Sequence, residues 1–231
     1  MWAQDFGAAS DYARRAIEVG GGAGVPAAVG GGYLTTAYVN ALSGHHDEAG
    51  PEFDEALRVS RLALDPARKI LTLQMRGVFD GWHGDYARAH AGAEEAVRLA
   101  RDHGLLVLYL RSLWTRGLTS TSIGDWDGAL RDLEEGIAVA ERIGDSGFLP
   151  RMMNTLGWLH IECDDVERGI AVTARAAALA GDIRHAYGVE MYSFCTINLG
   201  DAFLAKGDSC WPARRSTRRG ASPKTQRPTS G

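Results

Sequence analysis

Apolar and small residues recur along this chain at spacings of three and four. Tyr86, Ala89, Ala93, Ala96, Val97 and Ala100 form one such series, and Trp126, Ala129, Leu130, Leu133, Ile137 and Ala140 form another. This spacing places each set on one stripe of an α-helix. Both series open after a Gly-Asp pair, Gly84-Asp85 and Gly124-Asp125, 40 residues apart. Stepping by 40 in either direction keeps the phase. Asp164-Asp165-Val166 with Gly169 lies downstream, and Gly44-His45-His46 with Ala49 lies upstream. Gln4-Asp5-Phe6 with Ala9 stands one step further back, and a last pair, Gly207-Asp208, is offset by 43.

A second anchor lies seven residues before each of these positions, at Ala37, Gly77, Gly117, Gly157 and Gly200. Glycines at 84 and 124 suit the left-handed residue that ends a helix. Aspartates at 85, 125 and 165 suit the N-cap of the next one, where a carboxylate accepts free amide N–H groups. Gly104, Gly144 and Gly181 can end the second helices. Each unit therefore reads as helix, tight turn, helix, loop. The small pairs 77 and 89, 117 and 129, and 157 and 169 fall where the two antiparallel helices cross, because a bulky side chain there would force the backbones apart.

This pattern resembles the tetratricopeptide repeat, whose consensus pairs a Gly or Ala in the first helix with an Ala twelve residues later. That family's usual period is about 34 residues, so a period of 40 implies longer helices or loops. The stretches NTLGWLHIECDDVERGI (154–170) and NLGDAFLAKGD (198–208) are similar to the helical-repeat regions of large bacterial ATP-dependent signalling regulators and nucleotide cyclases. The expected fold is all-α, a right-handed superhelical solenoid of hairpins. It comprises a half-repeat at 1–20, full repeats at about 31–64, 67–104, 105–144 and 147–181, and a half-repeat at 185–208.

The ends break the rule. Residues 5–20 form a second helix without its first, which points to missing upstream sequence or an internal start. After Asp208 the pattern calls for a small residue at 212, where Pro212 stands, costing roughly 3 kcal/mol inside a helix. Residues 209–231 hold six basic residues and no acid, which reads as a disordered basic tail or a frameshifted segment. The other 208 residues hold 19 basic and 29 acidic residues, a poor match for nucleic acid. Three scattered cysteines, no signal-peptide pattern and no long apolar run give the expectation of a cytoplasmic protein without a membrane span.

Chemical motifs are sparse. The glycine-rich stretch 20–32 lacks the Lys-Ser/Thr of a phosphate loop and contains Pro26, so it reads as a flexible inter-repeat loop. His45-His46 has no further ligand at metal spacing. Its phase places His45 at an N-cap and His46 in the aromatic packing slot. The acid pairs Asp164-Asp165 and Glu134-Glu135 fall on a cap and a helix surface, whereas general acid–base catalysis needs a desolvated pocket. Trp82-His83 closes a first helix and His160 lies within another; both read as structural or solvent-facing. The expectation is a non-enzyme with no cofactor and no metal.

What the resemblance implies is a concave groove lined by the first helices. Its ligand-facing positions correspond here to Gln74, Val78 and Trp82, then to Arg111, Trp114, Leu118 and Ser122, then to Arg151, Asn154, Trp158 and Glu162. The implied function is a scaffold binding a protein partner through a peptide or helix. The alternative is the regulatory or sensor fragment of a multidomain ATPase, adenylate or guanylate cyclase, or transcriptional regulator. Unpaired terminal helices also suggest a dimer.

Overall fold

A computed structural model describes residues 5–183 and 186–207; the expectations for 209–231 lie outside the described residues. Among the described residues there are ten α-helices and no strand. They are α1 (Phe6–Gly22), α2 (Pro26–Ser43), α3 (His46–Leu62), α4 (Pro66–Trp82), α5 (Tyr86–Asp102), α6 (Leu106–Ile123), α7 (Trp126–Ile143), α8 (Leu149–Glu162), α9 (Val166–Gly181) and α10 (Ala186–Gly207). The odd-numbered helices from α1 to α9 begin at Phe6, His46, Tyr86, Trp126 and Val166. Four hairpins, α2–α3, α4–α5, α6–α7 and α8–α9, stack in sequence. They are flanked by α1 on one side and α10 on the other.

Backbone chemistry at the turns explains the punctuation. Gly44, Gly84, Gly104, Gly124 and Gly144 all have positive φ, the conformation that glycine adopts without steric cost. Asp5, Asp85, Asp125 and Asp165 each accept a hydrogen bond from the backbone N–H three residues on. Asp65 caps α4 in the same way. Residue 45 breaks the series, since His45 makes no side-chain cap bond to α3.

The core follows the small-residue anchors. Ala37, Ala49, Ala89 and Ala129 are fully buried. A Cβ added at Gly77 would lie 3.4 Å from the Ala89 carbonyl oxygen. One added at Gly157 would lie 2.0 Å from Thr173 Oγ1 and 3.0 Å from the Gly169 carbonyl oxygen. Around these crossings Leu110, Leu113, Leu133, Met152 and Leu159 fill the spaces between hairpins. Phe53 and Phe79 do the same at the first two, with ring centroids 5.5 Å apart.

The glycine-rich stretch 20–32 corrects one expectation. It is helical except for Ala23–Val25, and α2 already begins at Pro26, whose ring suits the first turn. Gly24 has positive φ and serves the turn, and Gly21 and Gly22 face open space, whereas Gly20, Gly30 and Gly32 lie against neighbouring helices. A Cβ on Gly32 would come within 2.7 Å of the Ala13 carbonyl oxygen, and one on Gly30 within 3.3 Å of Val59. The helices cross too closely there for any side chain. Missing side chains, which look like flexibility in a sequence, here permit contact.

Two stability experiments follow. Gly157→Ala forces a methyl group into the α8–α9 crossing and should lose about 1–3 kcal/mol. Gly92→Ala, whose added Cβ meets nothing closer than 3.8 Å, should gain roughly 0.5–1 kcal/mol from helix propensity. Urea titration of both variants checks the contrast.

His160 supplies a pH test. It is buried on α8, and burial pushes its imidazole below its ordinary value; Arg168 adds to this, while Asp165 and Glu134 oppose it. A depressed folded value means that the unfolded chain takes the proton first. The stability from neutral His160 is therefore complete above about pH 6.5 and is lost as pH falls toward the folded value. Thermal melts between pH 7.5 and 5 should show a steeper decline for the wild type than for His160→Gln.

Candidate functional site

The first helices of the stack, α2, α4, α6 and α8, converge with α10 on one cleft of about 540 Å³. Its apolar wall is Leu42 from α2 and Leu71, Met75 and Val78 from α4. Trp82, at the last turn of α4, leaves 62% of its surface exposed at the cleft edge. Facing these are Arg111 and Trp114 of α6, Arg151 of α8, and Tyr187, Glu190 and Phe194 of α10. Tyr38 lies close enough to α10 for Glu190 to add to the upward shift of its phenol, which burial mainly causes. The stack thus curves until its first hairpin and its last described helix flank the same space.

Arg151 is the hub. Its guanidinium carbon lies 5.1 Å from the Trp114 ring centroid, 5.2 Å from that of Tyr187 and 5.9 Å from that of Phe148. Its Nε donates to the Tyr187 hydroxyl at 3.1 Å, and its terminal nitrogen donates to Glu190 at 3.2 Å. Rings stacked on a cation attract it through their negative faces, so α6, α8 and α10 are tied together at one charge. Trp114 adds a hydrogen bond from Nε1 to Thr155 Oγ1 at 2.8 Å and an edge-on contact with Phe148.

Phe148 arrives from a connection. Three residues join α1 to α2, α3 to α4 and α5 to α6, whereas five, Gly144–Phe148, join α7 to α8. Asp145 Oδ1 accepts from the Phe148 N–H at 2.9 Å and folds this turn inward. The ring then lies under Arg111, whose guanidinium carbon is 5.7 Å from its centroid. Arg111 is exposed and has no carboxylate within ion-pair distance among the described residues.

Six of the residues carried over from the repeat resemblance line this cleft: Gln74, Val78, Trp82, Arg111, Trp114 and Arg151. Gln74 lies largely beneath its surface, donating to the Leu108 carbonyl and Ser112 Oγ. The other five lie elsewhere. Leu118 is half-buried and Ser122 is exposed, its hydroxyl donating to the Leu118 carbonyl. Asn154 is buried and accepts from Asn198. Trp158 donates to the exposed Glu162 on its own helix.

The division has a physical cause. Successive hairpins are rotated relative to one another, so each first helix offers a different turn to the same space. Helix α2 contributes positions after its small residue, α4 contributes positions on both sides of its own, and α6, α8 and α10 contribute positions before theirs. The residues missed are partly accessible to the same rule. Tyr38 and Leu42 stand one and five after Ala37, and Leu71 and Phe194 stand six before Gly77 and Gly200. Phe148 leaves no repeat signal, because it sits in a connection.

Elsewhere the imidazoles of His46 and His83 pack against each other, centroids 4.3 Å apart, beside Phe79. Among the described residues no group of three His, Cys, Asp or Glu side chains could hold a metal, and no helix is long and apolar enough to cross a membrane. Cys195 is buried, which raises its thiol to about 11.

No model of a known protein family matches the sequence, and no curated protein does. Solved structures match the fold. BtubC from P. vanneervenii superposes with a TM-score of 0.71 at 18% identity, over 98% of this chain and 96% of that one. A signal transduction ATPase with numerous domains from Pyrococcus horikoshii, carrying a tetratricopeptide repeat sensor, superposes at 0.62 and 16% identity. That match covers 90% of this chain and 34% of the ATPase. Aspartyl phosphate phosphatase F from Bacillus subtilis matches at 0.59 and 16% identity, over 81% of this chain and half of the phosphatase.

The fold is that of a tetratricopeptide-like helical-repeat protein. At these identities the likeness extends to architecture, and what the cleft does rests on its own residues.

The two tryptophans should respond differently to truncation. Trp114→Ala removes a half-buried ring, a hydrogen bond and one face of the Arg151 cage, and should cost about 3–5 kcal/mol. Trp82→Ala removes a mostly exposed ring and should change stability by less than about 0.5 kcal/mol. Denaturant midpoints of the two variants make the comparison.

Proposed function

We propose that this chain is a protein-interaction module that holds a peptide or helical segment of a partner protein in the cleft between α2, α4, α6, α8 and α10. One observation carries the reading: five helices supply a single concave surface that combines an apolar wall, the exposed Trp82 and the exposed cation Arg111, which has no ion-pair partner among the described residues. Tryptophan and arginine dominate the energetics of protein interfaces, because each offers large contact area or several donors with few rotamers lost. The wall of Leu42, Leu71, Met75 and Val78 suits an apolar side chain, and Arg111 suits an acidic one on the same segment. Curvature in the stack leaves the cleft open to a chain threading along it, as extended peptides bind grooves elsewhere. No catalytic constellation is assigned to it.

A second reading is favoured by the Pyrococcus ATPase, in which the similar region is part of a protein described as having a repeat sensor. In that reading the cleft is the ligand-sensing part of a larger regulator. A phosphate-loop ATPase encoded in frame beside this sequence would favour it.

Random peptides displayed on phage and selected against the wild-type chain test the cleft. Selected peptides should bind Trp82→Ala or Arg111→Ala at least about tenfold more weakly, the effect of losing roughly 1.4 kcal/mol. Peptides that bind both variants as tightly as wild type, or a selection that enriches none, would overturn the assignment.

A further inference from the structure

The two flanking helices are complementary halves of one hairpin. Helix α1 occupies the place of a second helix and packs on α2, and α10 occupies the place of a first helix and packs on α8 and α9. Among the described residues no further helix covers their crossing anchors, Ala9 and Gly200. Ala9 is half-exposed, whereas its counterparts Ala49, Ala89 and Ala129 are fully buried. Gly200 is exposed, and a Cβ added there meets nothing within 4 Å, whereas Gly77, Gly117 and Gly157 are each closed over by the helix that follows.

Side chains beside these anchors differ from those inside the stack. Three residues after the anchor, the first hairpin pairs Asn40 with Glu52 at 2.9 Å. The same two positions on the flanking helices carry Phe203 and Tyr12, aromatic residues that are 59% and 74% exposed. Further along, Lys69 pairs with Glu95 at 2.6 Å, and the Tyr109 hydroxyl donates to Glu135 at 2.6 Å. The equivalents are Tyr192 on α10 and Arg15 on α1. A tyrosine at this position can carry an arginine: Arg101, from the preceding helix α5, donates to Tyr109 and lies over its ring at 5.3 Å. Arg15 would instead meet a like charge on a first helix carrying lysine there, as α4 does. The open faces therefore share aromatic character, and at these positions Arg15 meets a ring and not a like charge.

We propose that copies of this chain assemble head to tail, with α1 of one copy seated on the open face of α10 of the next, so that the two form a composite hairpin across the contact. At 1.5 Å per residue, the 22 residues of α10 span about 33 Å, enough to receive the 17 residues of α1 over their full length of about 25 Å. The contact joins two different surfaces, so a pair of copies still presents one open half at each end and can add further copies, as a filament or a ring. This goes beyond cleft binding and stands independently of it.

Light scattering on the full chain, alone and in mixtures, tests the arrangement. The wild-type mass should rise with concentration past twice the 24.8 kDa of one chain. Tyr12→Asp and Phe203→Asp each place a charge in one half of the seam, at surface positions whose circular dichroism should match wild type. Each variant alone should remain at 24.8 kDa, and an equimolar mixture should double in mass and stop, because only one intact half from each copy can meet. A wild type that is monomeric at every concentration overturns the proposal. So does self-association of either variant alone, which would mark a symmetric contact, and so does a mixture that fails to pair.

Discussion

Everything in this molecule depends on two backbones being allowed to touch. At each crossing a glycine or alanine of a first helix meets a glycine or alanine of the second, and the carbonyl of one helix lies within van der Waals reach of where a methyl group on the other would stand. That approach fixes the separation within each hairpin. The larger residues between hairpins then fill what is left, and the angle between neighbours accumulates into the curvature that brings α2 and α10 to opposite sides of one cleft. Packing at native density leaves little freedom to absorb an extra methyl group, so the crossings set the shape of a surface far from them.

The architecture was legible because a repeat states its rule several times. A helix start marked once by Gly-Asp is a weak signal; the same start at 85, 125 and 165 is a strong one. The glycine-rich stretch 20–32 was misread because a run of glycines has two opposite physical uses, freedom in a loop and proximity in a crossing. Periodicity alone does not separate them. Carbonyl oxygens and side chains sitting where Cβ atoms would be show proximity at Gly20, Gly30 and Gly32, while Gly24 in the turn keeps the other use.

The cleft was legible in part, for a reason rooted in geometry. A rule stated relative to the small residue assumes that equivalent positions face the same place. Rotation between hairpins breaks that assumption, so Trp82 reaches the cleft from the end of α4 while Trp158, at a neighbouring position in its repeat, faces elsewhere and bonds its own Glu162. The Arg151 cage was invisible for a different reason. It is built from four places in the chain, 114, 148, 151 and 187, and one of them is in a connection. No periodic signal links such residues; only the folded chain does.

Phe148 leads to a further point. It enters the cleft from a five-residue connection that lies outside every small-residue crossing, and α8 is correspondingly short. The floor beneath Arg111 and Arg151 is thus carried by a segment whose length and side chain can vary while the crossings remain intact. A change of length or side chain at residues 145–148 would therefore reshape the wall of the cleft while leaving the four helix crossings as they are.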